Sequence, residues 1–462
     1  MQKRGCGGIK NVLLIRVASI VAVAALIFIP IAAIKHKIEE RESRRDDASR
    51  EVAKAWSGPQ VMTTPILVIP YRYVSEPSSG FHYDSDTAEE MHLAVMPEVV
   101  RSGIGVDASA LYRGIFEIPV FTARADISGY FSADKLQESV ADLKVSGRSI
   151  AFGVPYIGIY IKDVRGVSTT PSILVNAEPV PLKVGSGLLP ISSGLSAELI
   201  PIQEMSENLD FSMTLTLRGM GRSSVINLAN SSTATFNSNW PHPQFYGFSL
   251  PAERSVSSDG FSATWHDTQF TNDAMRLLQN CLQQDHCPGL MAAASGVAFI
   301  NPVDVYLQSE RSVKYAFLFI GLIFTAFLIF EQRDGRRIHP IQYGFVGLVI
   351  AIFYLLLLSL AEHTAFHLAY LCAVVGCASL LWIYLRYVLG TVLAATVFVV
   401  MLSALYAALY FIIGSEDFAL MLGSLLVFVA LATAMFVTRK VDWYEVSARK
   451  PQQLPVSSDG SA

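Results

Sequence analysis

Six long apolar segments constrain this chain more than any other feature of its sequence. They lie at about residues 12–34, 313–330, 341–361, 368–385, 391–413 and 418–437. A membrane-spanning helix needs about 20 mostly apolar residues. One such run can be a buried helix of a soluble protein, but five in the last third of the chain indicate a membrane bundle. The low share of charged residues, 16% against about 25% in soluble domains, agrees with this prediction.

The first apolar segment is predicted to stay in the protein as an anchor. A cleaved signal peptide has an apolar region of about 7–15 residues and a small-residue cleavage site. This segment is longer, and it ends in Ile-Pro-Ile-Ala-Ala-Ile-Lys without an Ala-x-Ala site. We therefore expect residues 12–34 to form transmembrane helix 1.

The charges of the short loops predict the orientation. Loops rich in Lys and Arg stay in the cytoplasm. The loop 331–339 carries several arginines, whereas the loops 362–367 and 414–417 contain no Lys or Arg. This places residues 1–11 and 438–462 in the cytoplasm and residues 36–312 outside. The basic residues just beyond helix 1 do not contradict this, because long translocated domains are largely exempt from the rule.

The outside region is predicted to be one charged helix followed by a β-rich domain. Residues 35–57 are highly charged and end at a Gly-Pro stop signal. From 58 to 312, short alternating runs are separated by Gly, Pro, Ser and Asn, as in antiparallel strands. Met213–Leu217 alternates clearly, while 134–143 and 272–284 have helical patterns. The predicted fold is thus six transmembrane helices, one plus five, with a large and mainly antiparallel β-rich domain between helices 1 and 2.

Composition and motifs exclude several functions. A net charge of −4 does not give the basic surface of a nucleic-acid-binding protein. The sequence contains no Gly-x-Ser-x-Gly elbow, no His-Glu-x-x-His pair and no phosphate-binding loop. Ionisable residues are nearly absent from the interiors of the five C-terminal spans, which argues against ion-coupled transport. We therefore expect no enzyme activity and no cofactor, and we interpret the bundle as an anchor or a docking element.

Two cysteines of the outside region form a candidate disulfide. Cys281 and Cys287 are separated by Leu-Gln-Gln-Asp-His. An oxidising compartment favours a disulfide between them. Two free thiols are one alternative. A zinc site that includes His286 is another, although two cysteines and one histidine are a weak set of ligands.

A proline-rich aromatic string is the candidate interaction surface. It consists of Trp240, Pro241, His242 and Pro243, with Phe245 close behind. The two prolines fix the backbone around the histidine. The string can form a rigid surface for a protein partner or a sugar, or a structural corner buried against a sheet. We favour the corner.

A polar cluster is predicted at the outer end of the third span. It contains Glu362, His363 and His367. The two histidines are four residues apart, which places them on one face of a helix. Polar capping at the membrane edge is the favoured interpretation, and metal or proton chemistry is the alternative.

Several strings of the sequence together resemble one family. They are Ser57-Gly58-Pro59-Gln60, Pro65–Pro70, Arg113-Gly114-Ile115-Phe116, Asp163-Val164-Arg165-Gly166, Ser238–Pro243, Leu250-Pro251-Ala252-Glu253-Arg254, Gly260–Trp265, Val313-Lys314-Tyr315-Ala316, Arg337–Tyr343, Ala361-Glu362-His363-Thr364 and Asp442-Trp443-Tyr444. In this order they resemble the CreD family of bacterial inner-membrane proteins, over about residues 10–445. The cysteine pair is not part of the resemblance.

The resemblance implies a Gram-negative inner membrane, a periplasmic β-rich domain and a role in cell envelope integrity or envelope stress. It also implies expression linked to the CreBC two-component system, and it supplies no catalytic residue. We expect a non-catalytic scaffold in the lipid bilayer whose periplasmic domain binds a protein or a cell-wall component. The alternative is an enzyme acting on peptidoglycan or lipid through Glu362, His363 and His242. A transporter or flippase is less favoured.

Overall fold

The computed structural model describes residues 7–74, 90–144, 149–188, 191–201, 207–269, 273–283, 287–301, 305–334, 338–415 and 418–439. The chain divides into two compact units. A helical unit contains Met1–Arg44 and Val303–Ala462, and a β-rich unit contains Arg45–Pro302.

The first helix, α1, belongs to both units and covers Gly7–Ala55. Its first part is apolar and its second part is charged, with pairs such as Arg44 and Glu40 at the spacing that stabilises an exposed helix. The predicted membrane helix 12–34 and the predicted charged helix 35–57 are therefore two parts of one helix.

The β-rich unit contains strands and short helices in the following chain order. The strands are β1 Gln60–Thr63, β2 Ile66–Val74, β3 Met91–Val95, β4 Val99–Arg113, β5 Phe116–Phe131, β6 Ser149–Phe152, β7 Tyr156–Tyr160, β8 Ser172–Val175, β9 Glu178–Val180, β10 Leu182–Val184, β11 Gly194–Glu198, β12 Leu209–Met220, β13 Arg222–Ile226, β14 Ser231–Ser238, β15 Pro243–Gly247, β16 Glu253–Ser257, β17 Gly260–Thr268 and β18 Ser295–Phe299. The helices are α2 Ala133–Lys144, α3 Ala274–Gln283 and α4 Pro288–Ala292.

The strands form three sheets. The largest has the order β16-β17-β14-β4-β5-β12-β8-β9, the second β10-β11-β7-β2-β3 with β6 beside β2, and the third β1-β13-β18-β15. Only the described pairs β1 with β13 and β14 with β4 are parallel. Buried and outward positions alternate along β12, as its sequence predicts. The structure thus confirms a mainly antiparallel β-rich domain, and α2 and α3 confirm the two helical patterns.

The main core lies between the large sheet and the other two sheets. Phe121 and Leu215 of the large sheet, Ile159 of the second and Phe299 of the third belong to one buried cluster. A second buried cluster packs α3 and α4 against the other face of the second and third sheets. It contains Leu278 of α3 and Ile66 of β2. β2 is therefore covered on both sides, as a continuous apolar strand requires, whereas one face of β4 and β12 in the large sheet carries exposed positions.

The last turns of α1 pack on the hairpin formed by β4 and β5. Ala48 and Val52 of the helix belong to one buried cluster with Ile118 and Val120 of β5. Arg113 at the end of β4 pairs with Glu51 of the helix at 2.9 Å. This contact fixes where the chain enters β1.

After the β-rich unit, the described residues of the helical unit form six helices. They are α5 Val305–Lys314, α6 Ala316–Asp334, α7 Pro340–Ala361, α8 Phe366–Val388, α9 Val392–Gly414 and α10 Ala419–Thr438. Four described helices are long and apolar enough to cross a membrane, or five when α5 and α6, which bend by 43°, form one span. The apolar part of α10 is shorter, at Met421–Thr433. The structure therefore confirms the arrangement of one plus several apolar helices, and the count of six spans stays a prediction.

Glycines allow α1 to approach α7 closely. A Cβ atom at Gly347 would overlap the side chain of Ile27, and one at Gly344 would touch Val23 at 3.6 Å. Small residues permit such backbone approach where helices pack in lipid.

Candidate functional site

A network of buried and partly buried polar groups lies where α1 ends. After Ala55, Ser57 adopts a φ of 151°, which residues with a side chain rarely do. Ser57 and Gln60 are 1% and 2% exposed. Buried polar groups at a strained turn require hydrogen-bond partners, and each of these residues has several.

Gln60 is the centre of this network. Its Nε2 lies 2.9 Å from Ser57 Oγ and 3.0 Å from the main-chain oxygen of Asp163. It also lies 3.0 Å from the main-chain oxygen of Arg218 on β12. One amide thus connects the start of β1 to β12 and to the turn that begins at Asp163.

Asp163 and Arg165 complete the network. Arg165 donates from Nε to Asp163 Oδ1 at 2.9 Å and from Nη2 to Oδ2 at 2.7 Å, which is the bidentate geometry of a strong pair. Its Nη1 donates to the main-chain oxygen of Lys54 at 3.3 Å, in the last turn of α1. A cation at this end of a helix is favourable. Ser57 Oγ also donates to Asp163 Oδ2 at 3.0 Å.

These contacts determine the ionisation of the carboxyl group. The hydrogen bond from Arg165 is the largest cause that lowers the pKa of Asp163, and the hydrogen bond from Ser57 adds to it. Together they outweigh the effect of burial and hold the pKa at about 2. The carboxylate is therefore charged throughout the physiological pH range and is not suited to general acid or base catalysis, which needs a pKa near the working pH.

A glycine makes room for the network. A Cβ atom at Gly166 would overlap the side-chain amide of Gln60 and the main-chain oxygen of Arg218. We call the set of Ser57, Gln60, Asp163, Arg165 and Gly166 the joint. Chemically, it can hold the end of α1 against β1 and β12.

The joint brings together two strings that are far apart in sequence. Ser57-Gly58-Pro59-Gln60 and Asp163-Val164-Arg165-Gly166 both carry the family resemblance, but sequence reasoning did not pair them. The available signal was weak: an Asp-x-Arg pair and a glutamine just after a helix stop.

The proline-rich string lies at an edge of the third sheet. Trp240 Nε1 donates to the main-chain oxygen of Ile300 at 2.9 Å. Phe245 packs edge-on against Phe261 and Trp265. His242 is exposed between Pro241 and Pro243, which are half-buried. The two aromatic side chains thus face the core, and the histidine is what the string presents to solvent.

Cys281 and Cys287 are joined by a disulfide in the structure. It links α3 to the residue before α4, and both cysteines are buried beneath the second and third sheets. His286 lies outside the described residues.

Glu362 makes contacts away from the two histidines predicted to accompany it. Its Oε1 lies 3.3 Å from Arg41 Nε of α1 and accepts from the Tyr306 hydroxyl at 3.4 Å, and its side chain is 8% exposed. His363 and His367 are exposed. Within the described part of the chain, no group of three or more His, Cys, Asp or Glu side chains is arranged to hold a metal ion.

Taken together, the apolar helices and the β-rich domain define a membrane protein with one large domain inserted between its first helix and the later helices. The family model "Inner membrane protein CreD" matches residues 12–444. The chain is 33% identical over 447 residues to the inner membrane protein CreD of Escherichia coli strain K12. The aligned region covers 96% of each protein. The chain belongs to the CreD family of inner membrane proteins, as its sequence strings predicted. The family name denotes an inner membrane protein and not an enzyme.

Proposed function

We propose that this protein maintains cell envelope integrity as a non-catalytic scaffold in the inner membrane. Its β-rich domain lies in the periplasm and binds a protein or a cell-wall component, and both termini lie in the cytoplasm. Family membership and the arginine-rich loop 331–339 support this orientation.

The joint is the observation that carries the proposal. Its polar side chains bond to one another and to main-chain oxygens of α1 and β12, and its carboxylate is neutralised by a bidentate arginine. Such an arrangement resists separation of the end of α1 from the sheets, and the Asp163 carboxylate has a structural role in it. A protein that works by holding a partner in place needs this rigidity.

The disulfide supports a periplasmic location of the β-rich domain. Disulfides persist in the periplasm and are rare in the cytoplasm, where thiols are kept reduced. The bond between Cys281 and Cys287 is buried in a hydrophobic cluster, where it serves packing.

The surface around His242 is the proposed contact for the partner. Phe248 and Leu250 follow it and are 55% and 66% exposed, although they are large and apolar. Exposed apolar groups next to a backbone that two prolines fix are typical of a protein contact.

Complementation of a deletion strain tests the scaffold. The strain receives the full chain, a chain in which residues 58–302 are replaced by a flexible linker, or a chain with Gly166→Leu, which overfills the joint. We expect an intact envelope with the first and loss of protection with the other two. Gly105→Leu is the matched control, because nothing lies within 4 Å of a Cβ atom there. Protection by the helices alone would overturn the proposal.

Photo-crosslinking in living cells tests the partner surface. A photoreactive residue at 242, 248 or 250 is compared with one at Val184, which is 85% exposed on another part of the domain. We expect a recurrent protein or glycan adduct from the first three positions and none from the control. Equal adducts at all four positions would count against this surface.

A further inference from the structure

One exposed cation of the β-rich unit lies in surroundings that contain no carboxylate. Arg222 is the only charged residue in the four strands of the third sheet, β1, β13, β15 and β18. Residues 211–252, which include β13 and β15, contain no Asp or Glu. Arg222 is exposed, and none of the ion pairs between described residues includes it. Its charge is therefore open to an anion from outside the chain.

The strand register places Arg222 beside β15. Arg222 of β13 and Gln244 of β15 are both paired with Ala298 of β18, which lies between them. Paired residues of antiparallel strands share a face of the sheet. Arg222 and Gln244 thus lie on the same face, on either side of a small residue. The guanidinium of Arg222 also lies over the ring of Tyr246, 5.3 Å from its centroid. A stacked guanidinium keeps a planar fork of N–H donors that fits a carboxylate.

Helices α3 and α4 cover the other end of this face. Ile226 lies on the same face as Arg222, four residues further along β13, and it is buried in the cluster that the two helices form. Arg222 and Gln244 are exposed. Phe245 has the opposite orientation and packs against the main core. The end of the face that carries Arg222 is therefore the part that a partner can reach.

Side chains that a partner can contact follow β15 at every second position. His242 precedes the strand, Gln244 lies in it and Phe248 follows it, and all three are exposed. Tyr246, between the last two, is half-buried. An extended polypeptide has the same repeat of two residues, about 6.8 Å. An extended segment that lies along β15 can therefore meet these side chains one after another, as in other modes of peptide recognition by strands.

We propose that Arg222, His242, Gln244, Tyr246 and Phe248 form a surface that binds an extended acidic segment of a partner protein. A Glu or Asp side chain of the segment accepts hydrogen bonds from Arg222, and an apolar side chain packs on Phe248. The lack of carboxylates around Arg222 means that such a segment meets no like charge there. This inference rests on the proposed function, in which the region of His242 contacts a partner, and it adds the chemistry of that partner.

Peptide binding tests the preference for acidic segments. The purified full chain in detergent is titrated with two fluorescein-labelled peptides, and fluorescence anisotropy is measured. One peptide alternates threonine with glutamate, and the other alternates threonine with glutamine. We expect the acidic peptide to bind about fivefold more tightly, the upper range for one exposed ion pair. Equal affinity for the two peptides overturns the proposal.

Variants of Arg222 assign the preference to this side chain. Arg222→Gln should abolish it, and Arg222→Lys, which keeps the charge without the planar fork, should retain part of it. Arg101→Gln is the matched control, because Arg101 of β4 is also exposed but belongs to the large sheet. An unchanged Tm shows that each variant is folded. A preference that survives Arg222→Gln, or that Arg101→Gln reduces equally, contradicts the assignment.

Photo-crosslinking in cells separates this inference from the proposed function. A photoreactive residue at position 248 is combined with Arg222→Gln at equal protein level. An adduct that contains a Glu- or Asp-bearing segment of a partner, and that falls about fivefold in the variant, is the expected result. An adduct that persists unchanged overturns the acidic segment and leaves the partner surface in place. No adduct with the original Arg222 overturns both.

Discussion

Replacing Asp163 by asparagine tests the joint directly. Asparagine has nearly the same shape, and it can still accept a hydrogen bond from Ser57 through its side-chain oxygen. It cannot accept both hydrogen bonds from Arg165, because one carboxylate oxygen becomes an amide that donates. Asp163→Asn therefore removes the charge and half of the bidentate pair without creating a cavity.

The lowered pKa of Asp163 gives the size of the expected loss of stability. A fall from 3.8 to about 2 corresponds to about 2.4 kcal/mol of stabilisation of the charged form. The Asp163 side chain is 16% exposed, but that of Arg165 is 63% exposed, so water screens part of this interaction. We expect Asp163→Asn to lower the free energy of unfolding of the β-rich domain by about 1–2 kcal/mol.

Hydrogen exchange of the purified full chain in detergent is the assay. The backbone amides of residues 57–63 and 163–167 report local opening of the joint, and faster exchange in Asp163→Asn is the expected result. Asp126→Asn is the matched control. Asp126 also pairs with an arginine two residues away, at 3.1 Å, but both side chains are more than half exposed. There we expect an effect below about 0.5 kcal/mol.

The pH dependence of the free energy of unfolding tests whether Asp163 stabilises the fold in its charged form. Because the pKa of Asp163 is lower in the folded protein, its stabilisation is present above pH 3.8 and is lost as pH falls towards about 2. The difference between wild type and Asp163→Asn should be constant near neutral pH and shrink between these values. A difference that grows on acidification, or one no larger than that of the control, would refute the reasoning.

Three further predictions concern other parts of the molecule. Replacing Cys281 and Cys287 by serine removes a crosslink between residues six apart; it should cost about 2 kcal/mol, measured as a lower Tm that reducing agent no longer changes. Gly166→Ala should destabilise the β-rich domain by about 1–3 kcal/mol in denaturant titration, whereas Gly105→Ala, in open space, should have little effect. Glu362→Gln should lower the Tm of the helical unit, because it leaves a partly buried arginine partner without its charge; an unchanged Tm would show that the pair contributes nothing.

Local patterns predicted the elements of this fold well. The apolar segments, the alternation along β12 and the two helical patterns at α2 and α3 all depend on neighbours within about ten residues. The order of the sheets could not be predicted in this way. The parallel pairing of β14 with β4, for example, joins Ser231 to Val99. Such pairings are selected by packing of the whole core and leave little trace in either strand.

The candidate sites also differ in whether their residues are close together or far apart in the sequence. The cysteines are close in sequence and were predicted to lie in an oxidising compartment, which made a disulfide the favoured alternative, and the structure contains that bond. The partner of Glu362 is Arg41, more than 300 residues away, and no periodicity connects them. Likewise, Gln60 and Asp163 each look like ordinary polar residues after a helix stop and in a turn. Their role depends on tertiary contacts that single-sequence reasoning cannot reach.

Four buried or partly buried carboxylates among the described residues are engaged in structural contacts. Within the described residues, Asp163 is held by an arginine, and Glu331 accepts from Tyr343 and from a main-chain amide. Glu362 pairs with an arginine, and Asp267 accepts from an asparagine side chain. A hydrolase acting on glycan or lipid needs a carboxyl group that is free to exchange a proton with its substrate. Each of these four groups would first have to leave a structural partner before it could act as a general acid or base.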